Sequence, residues 1–168
     1  MRIGVLLIFL GAFAIGMGLA RPRPVEAPPQ GVLAPHAPKQ RRAASSRPWA
    51  VEEYELTPLA EYDVEARVLS VVRYRRGREA DLSPLDFVVG WGPMSNDEVL
   101  DELDLGHARR FYWVSSREPP LPMRQLMEHS ANMHLIPASD DVARALRGVD
   151  EDDVVHLKGK LVRVDGPG

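Results

Sequence analysis

The feature that most constrains this chain is its apolar opening. Ile3 to Ala20, IGVLLIFLGAFAIGMGLA, runs eighteen residues without a charge and is preceded only by Met1 and Arg2. That length reaches the lower end of what a membrane-spanning helix requires. Two readings compete. A cleaved signal peptide needs a basic start, an apolar core and small residues at the cut. Gly18-Leu19-Ala20 supplies the small residues, but the basic start is thin and Arg21 and Arg23 follow at once. A retained anchor uses the full run, and Gly11, Gly16 and Gly18 are tolerated in membrane helices. The expectation is a signal anchor or transmembrane helix over 1–20, contacting the bilayer through residues 3–20. Counting positive charges after Ala20 favours a cytoplasmic C-terminal side. The very short tail before the run is instead how exported chains usually begin. The expected location is the inner membrane, crossed once, with the domain on the periplasmic side.

Charge is divided unevenly. Residues 1–50 hold seven Lys/Arg against one acid, Glu26, whereas residues 51–168 hold fourteen against twenty-three. A basic tether suits anionic lipid headgroups. Between Arg21 and Pro48 lie seven prolines among Ala, Gln and Ser, a composition that favours extended chain and buries little apolar surface. Residues 21–48 are therefore expected to be a disordered basic linker. The rest, 49–168, suffices for one globular domain with a core. The chain has no cysteine, which excludes disulfides, thiolate catalysis and zinc–thiolate sites.

Within the domain, Val64, Ala66 and Val68 alternate with Asp63, Glu65 and Arg67, the period of a half-buried strand continuing to Tyr74. Arg75-Arg76-Gly77-Arg78 reads as a turn. Ser83-Pro84-Leu85-Asp86 has the form of a helix start, with Phe87-Val88-Val89 following and Gly90 ending it. Gly90-Trp91-Gly92-Pro93 reads as a tight loop, and Ser95 with Glu98 as a capping box for a short helix stopped by Gly106. Arg110–Ser115 is aromatic and strand-like. Met123, Leu126 and Met127 have helical spacing, and Leu135-Ile136 returns to extended chain. Ser139 caps a helix whose Val142, Ala145, Leu146 and Val149 share one side, ended by Gly148. In VVHLKGKLVRV the alternation shifts by one near Val162, which marks a bulge or coiled strand. The fold class is α+β: a small curved β-sheet or partly open barrel with short helices, an oligonucleotide-binding-like barrel being one form of it.

Few residues carry chemistry. His129, Ser130, Asn132 and His134 form the densest cluster, but two histidines five apart do not share a helical face. Metal ligation and a serine nucleophile are both weaker readings than hydrogen-bonded structural side chains, so no metal, cofactor or catalytic residue is assigned. Arg73, Arg75, Arg76 and Arg78 beside Tyr74, with Trp91, Pro93 and Met94 of the GWGPMS loop, form the candidate contact surface.

Taken together, YDVEARVLS, YRRGREADLSPLD, GWGPMS, HSANMHLIPA and VVHLKGKLV resemble a family of uncharacterised small, N-terminally anchored proteins of Gram-negative bacteria. The resemblance covers roughly residues 54–164. It implies an envelope location but carries over no activity. It also implies a further Trp- and Ser-rich strand after the last one here, so the domain is expected to lack a final strand. The leading expectation is a membrane-tethered, non-enzymatic domain that binds an unidentified protein partner in the cell envelope. A metal-dependent or other enzyme using His129 and His134 is the alternative. Nucleic-acid binding through a barrel and the arginine turn is the weakest of the three.

Overall fold

The computed structural model describes residues 30–166 and the backbone of Leu6–Phe9. The domain is built on one strand, β4 (Tyr54–Arg73), twenty residues long. β4 pairs antiparallel with β9 (Val154–Asp165) from Glu55 to Arg67 and with β5 (Leu85–Gly90) from Arg67 to Arg73. β5 in turn pairs with β8 (Ser130–Pro137). β2 (Lys39–Arg42) and β3 (Trp49–Val51) add short antiparallel rungs to β4. Leu6–Phe9 forms β1, a four-residue strand pairing parallel to β8 and antiparallel to β9. No rung joins β8 directly to β9, and the sheet is not closed into a barrel. The α+β class with a small, largely antiparallel sheet holds.

A strand this long cannot stay flat. Its register slips once between Pro58 and Ala60 against β9, and again between Val68 and Ser70 against β5. Each slip leaves one unpaired residue, Leu59 or Leu69, and such bulges bend a strand and tighten its twist. Opposite Leu59, buried positions in β9 change phase from Val155, Leu157 and Gly159 to Val162 and Val164. The sequence alternation breaks at the same place. The bend divides the interior in two. One core gathers Val64, Ala66, Val68, Phe87, Met133, Leu135 and Leu146; the other gathers Tyr54, Leu56, Leu82, Ile136, Val162 and Val164.

The helices are short: α1 (Arg78–Leu82), α2 (Asp97–Leu100), α3 (Met123–Glu128) and α4 (Asp140–Arg147), with a 3-10 turn at Gly92–Ser95. α4 is capped by Ser139, whose hydroxyl accepts from the Val142 amide at 3.3 Å, and Gly148 ends it. The helix start expected at Ser83 is corrected. Ser83 closes α1, its amide donating to Glu79 O at 2.8 Å, and Pro84 stops that helix so that LDFVVG runs on as a strand. The Ser95 cap is also reassigned: Asn96 caps α2 through the Glu98 amide, and Ser95 donates to Gly92 O.

The linker expectation changes too. Residues 30–48 belong to the fold: the Ala34 amide donates to Ser95 Oγ at 3.0 Å, Ala34 O accepts from Gly92 N at 2.7 Å, and Ala34 is fully buried. Backbone pairing of β2 with β4 adds to this, which composition alone cannot register. The folded part thus includes residues ahead of Trp49. Residues 21–29 and the membrane helix expected over 1–20 lie outside the described residues, save for the four of β1. Among the described residues no helix is long and apolar enough to cross a membrane.

Gly90 marks where β5 meets the 3-10 turn. A Cβ there would lie 2.1 Å from the main-chain oxygen of Met94, which cannot rotate away. Gly90→Ala is therefore expected to destabilise the domain by about 1–3 kcal/mol, the usual cost of overpacking. The urea midpoint should fall with an unchanged slope.

Candidate functional site

β6 (Asp104–Ala108) and β7 (Phe111–Ser115) form a separate two-stranded hairpin folded against the outer face of the β4–β5–β8 sheet. Ala108 pairs with Phe111, so Arg109-Arg110 is a two-residue loop. Both arginines have positive φ, 52° and 67°. That is the geometry of a type I′ turn, normally filled by Asn-Gly, and it costs about 1–2 kcal/mol per residue with a side chain. The strain is offset by what Arg110 reaches.

Asp86 sits on β5 in a run whose six residues are all buried, and its side chain is 0 % exposed. Arg110 Nη1 donates to Asp86 Oδ1 at 2.5 Å, and its Nη2 donates to Ser83 O at 2.8 Å. The guanidinium lies 3.8 Å over the Tyr74 ring, a cation–π contact. The Arg110 amide donates to Tyr74 Oη, and Arg110 O accepts from Asn132 Nδ2 at 3.0 Å. Every polar group of this residue but one thus ties the turn to the sheet.

The second carboxylate oxygen of Asp86 meets two histidines. His134 Nδ1, directly across on β8, is 3.0 Å away, and His107 Nε2 on β6 is 3.9 Å away. The first approach is short enough for a hydrogen bond but poorly aligned, and Asp86 Oδ2, His107 Nε2, His134 Nδ1 and Asn132 Oδ1 have no aligned partner. His107 Nδ1 lies 3.3 Å from Ser70 Oγ. Burial pushes the His107 imidazole below its usual range, and the nearby Asp86 only partly opposes this.

Ser70, His107 and Asp86 occur in the order of a Ser-His-Asp relay. At 3.9 Å the acid–base step exceeds hydrogen-bond reach. His107, 2 % exposed in its side chain, lines neither of the two open grooves described in the domain. Among the described residues no group of three or more His, Asp and Glu is arranged to hold a metal ion. Chemically this cluster is a strut: one buried anion and one half-buried cation fasten the hairpin to the sheet, with two imidazoles packed beside them.

The expected cluster is split by this geometry. Ser130, Asn132 and His134 occupy alternate positions of β8 and share its outer face. Ser130 Oγ donates to Leu126 O at 2.9 Å and lies 3.0 Å from Tyr112 Oη. His129 stands apart at the end of α3, its Nδ1 2.7 Å from Gln125 O and its ring under Gly92. Of the expected contact surface, Trp91 and Met94 are corrected: both are buried in the interior, where the 3-10 turn tucks them, and Pro93 is half-buried. Arg73 is occupied with the carbonyls of Arg147 and Val149 and with Asp150, and Arg78 with Glu53. Arg75 and Arg76 are exposed and form no ion pair among the described residues. Sequence reading missed Asp86, His107 and Arg110, and placed Tyr74 only beside the arginine turn. Their one local signal was an acid inside an apolar run.

The side chain beyond that strut is open. Tyr74, Arg76, Gly77, Arg78, Arg109 and Arg110 line a groove of about 630 Å³. Next to it, Phe111 and Trp113 project from the far side of the hairpin, 73 % and 52 % exposed.

Two outcomes test the strut. Arg110→Met leaves the Asp86 carboxylate buried without its cation and is expected to cost about 3–5 kcal/mol, while adding Asp86→Leu should recover more than half of that loss. The second concerns pH. With its folded pKa below 6.5, His107 binds its proton later in the folded than in the unfolded chain. Stability is then full above about pH 6.5 and falls as pH drops through the window below it. His107→Gln should flatten urea midpoints measured between about pH 7.5 and pH 5. Comparison with protein-family models, curated proteins and solved structures finds no match for this chain.

Proposed function

We propose that this is a binding domain rather than an enzyme, held in the inner membrane by its N-terminal run and placed in the periplasm. There it engages a protein partner of the cell envelope through the β6–β7 hairpin and the arginine turn beside it. The observation that carries the reading is the pairing of Phe111 and Trp113, large apolar side chains left in solvent, with a hairpin anchored by Arg110. Exposed aromatics on a rigid support lose little entropy on docking, and aromatic and arginine side chains dominate binding hot spots. Arg76 and Arg109, exposed in the adjoining groove with Arg78 and Glu79, leave this patch basic on balance in a domain that is otherwise acidic. The partner that fits presents an apolar or aromatic side chain beside carboxylates.

A photo-crosslinking residue placed at position 111 of the full chain in its native membrane tests this. A discrete adduct is expected there and not from Lys158, on the solvent side of β9. Arg76→Glu with Arg109→Glu should weaken that adduct about tenfold, the effect of roughly 1.4 kcal/mol. Trp113→Ala, made with the crosslinker kept at position 111, should abolish it. Equal labelling from positions 111 and 158 would sink the proposal. An adduct containing nucleic acid, with binding that falls steeply with salt, would favour the nucleic-acid reading instead. A reporter active only in the periplasm, fused after Gly168, is expected to give signal; signal only from a cytoplasm-specific reporter would reverse the orientation.

A further inference from the structure

The two ends of the antiparallel run, β8 and β9, each have one backbone row that neither β5 nor β4 uses. On one side β8 pairs with β5 from Ser130 to Leu135, and β9 pairs with β4 along its whole length. The remaining rows face a gap flanked by Leu135 and Ile136 on one strand and Val162 on the other, all buried. Unpaired rows of this kind are templates for an added strand. The gap has room for one strand, because β1 takes rungs from both sides. Leu7, Ile8 and Phe9 run parallel to Leu135, Ile136 and Pro137, and Leu6, Leu7 and Ile8 run antiparallel to Val162, Leu161 and Lys160.

We propose that the gap between β8 and β9 is a strand-acceptor site whose occupant is the chain's own Leu6–Phe9, so that the apolar run has two exclusive destinations, this site and a lipid bilayer. Exclusion follows from length. A residue in a strand rises about 3.3 Å and one in a helix 1.5 Å, so the same four residues cannot serve both. Taking them from the run leaves residues 10–20, eleven residues or roughly 16 Å of helix, about half of a 30 Å hydrocarbon core. Pro137 limits the ladder at one end, since it has no N–H to donate. In water the site shelters the most apolar stretch of the chain; at a bilayer the run withdraws and the acceptor edge is bared. This proposal is independent of the hairpin surface and shares with the proposed function only the membrane anchor.

The absence of cysteine makes the test clean. In the full chain, Leu7→Cys is combined with Leu161→Cys, its register partner, or with Glu65→Cys, an exposed control on β4. In dilute aqueous buffer with mild oxidant, the first pair is expected to close an intramolecular disulfide at least tenfold faster than the control. Added phosphatidylcholine vesicles should slow that closure at least tenfold. Hydrogen exchange on the unsubstituted chain gives the same reading without altering the fold: those amides of 160–162 that point away from β4 should be protected in buffer and exchange at least tenfold faster with vesicles. Equal closure rates for the two pairs, or a disulfide-linked dimer in place of the intramolecular product, would overturn the assignment of the occupant. Protection that persists undiminished on vesicle-bound chain would overturn the exclusion.

Discussion

The ion pair between Asp86 and Arg110 is the interaction on which the outer half of this domain depends. A carboxylate inside a fully buried strand is costly unless a cation and further donors accompany it. Here the cation comes from the tip of a hairpin more than twenty residues further along the chain. Docking the hairpin and neutralising Asp86 are therefore one event. Swapping both residues for well-packed apolar ones would satisfy the core about as well. What the charged version adds is registry, since only one placement of β6–β7 brings Arg110 over Tyr74 and onto both Asp86 and the Ser83 carbonyl.

The sheet beneath has its own division of labour. Even-numbered positions of β4 face inward from Tyr54 to Val68, and the two bulges allow that one strand to serve two cores and four partner strands. A second buried arginine secures the other side: Arg67 donates to Asp152 Oδ1 at 2.7 Å and to Asp97 Oδ1 at 2.5 Å, joining the turn before β9 to α2. Both arginines work in the same way. Each takes a guanidinium from the surface to a place where loops converge, and each leaves the apolar interior to Leu, Val, Phe and Met.

Elements with a strong local period were legible in the sequence. The alternation from Asp63 to Val68, the capped helix from Ser139 to Gly148 and the strand Phe111–Ser115 all stand where periodicity and caps put them. β5 was not legible, because a strand buried on both faces has no alternation and Ser83-Pro84 imitates the start of a helix. Ordered residues 30–48 were hidden for a related reason: their proline content argues for extended chain, and extended chain is also what an edge strand needs. The convergence of Asp86, His107, Arg110 and His134 has no local trace. It arises from strand pairing and a folded-back hairpin, and spacing along the chain cannot encode either.

The pairing of β4 with β9 also sets the order in which the chain can be made. Lys160 meets Glu61 and Arg163 meets Thr57 at sequence separations of 99 and 106. The central strand is synthesised well before its longest partner. Contacts of such span carry a loop-closure cost before they return any stability, which places a fold of this kind among the slow ones. Until β9 is released, one long edge of β4 stays open beside the apolar segments that precede it. The emerging chain is then exposed to association with its neighbours for the whole interval between β4 and β9.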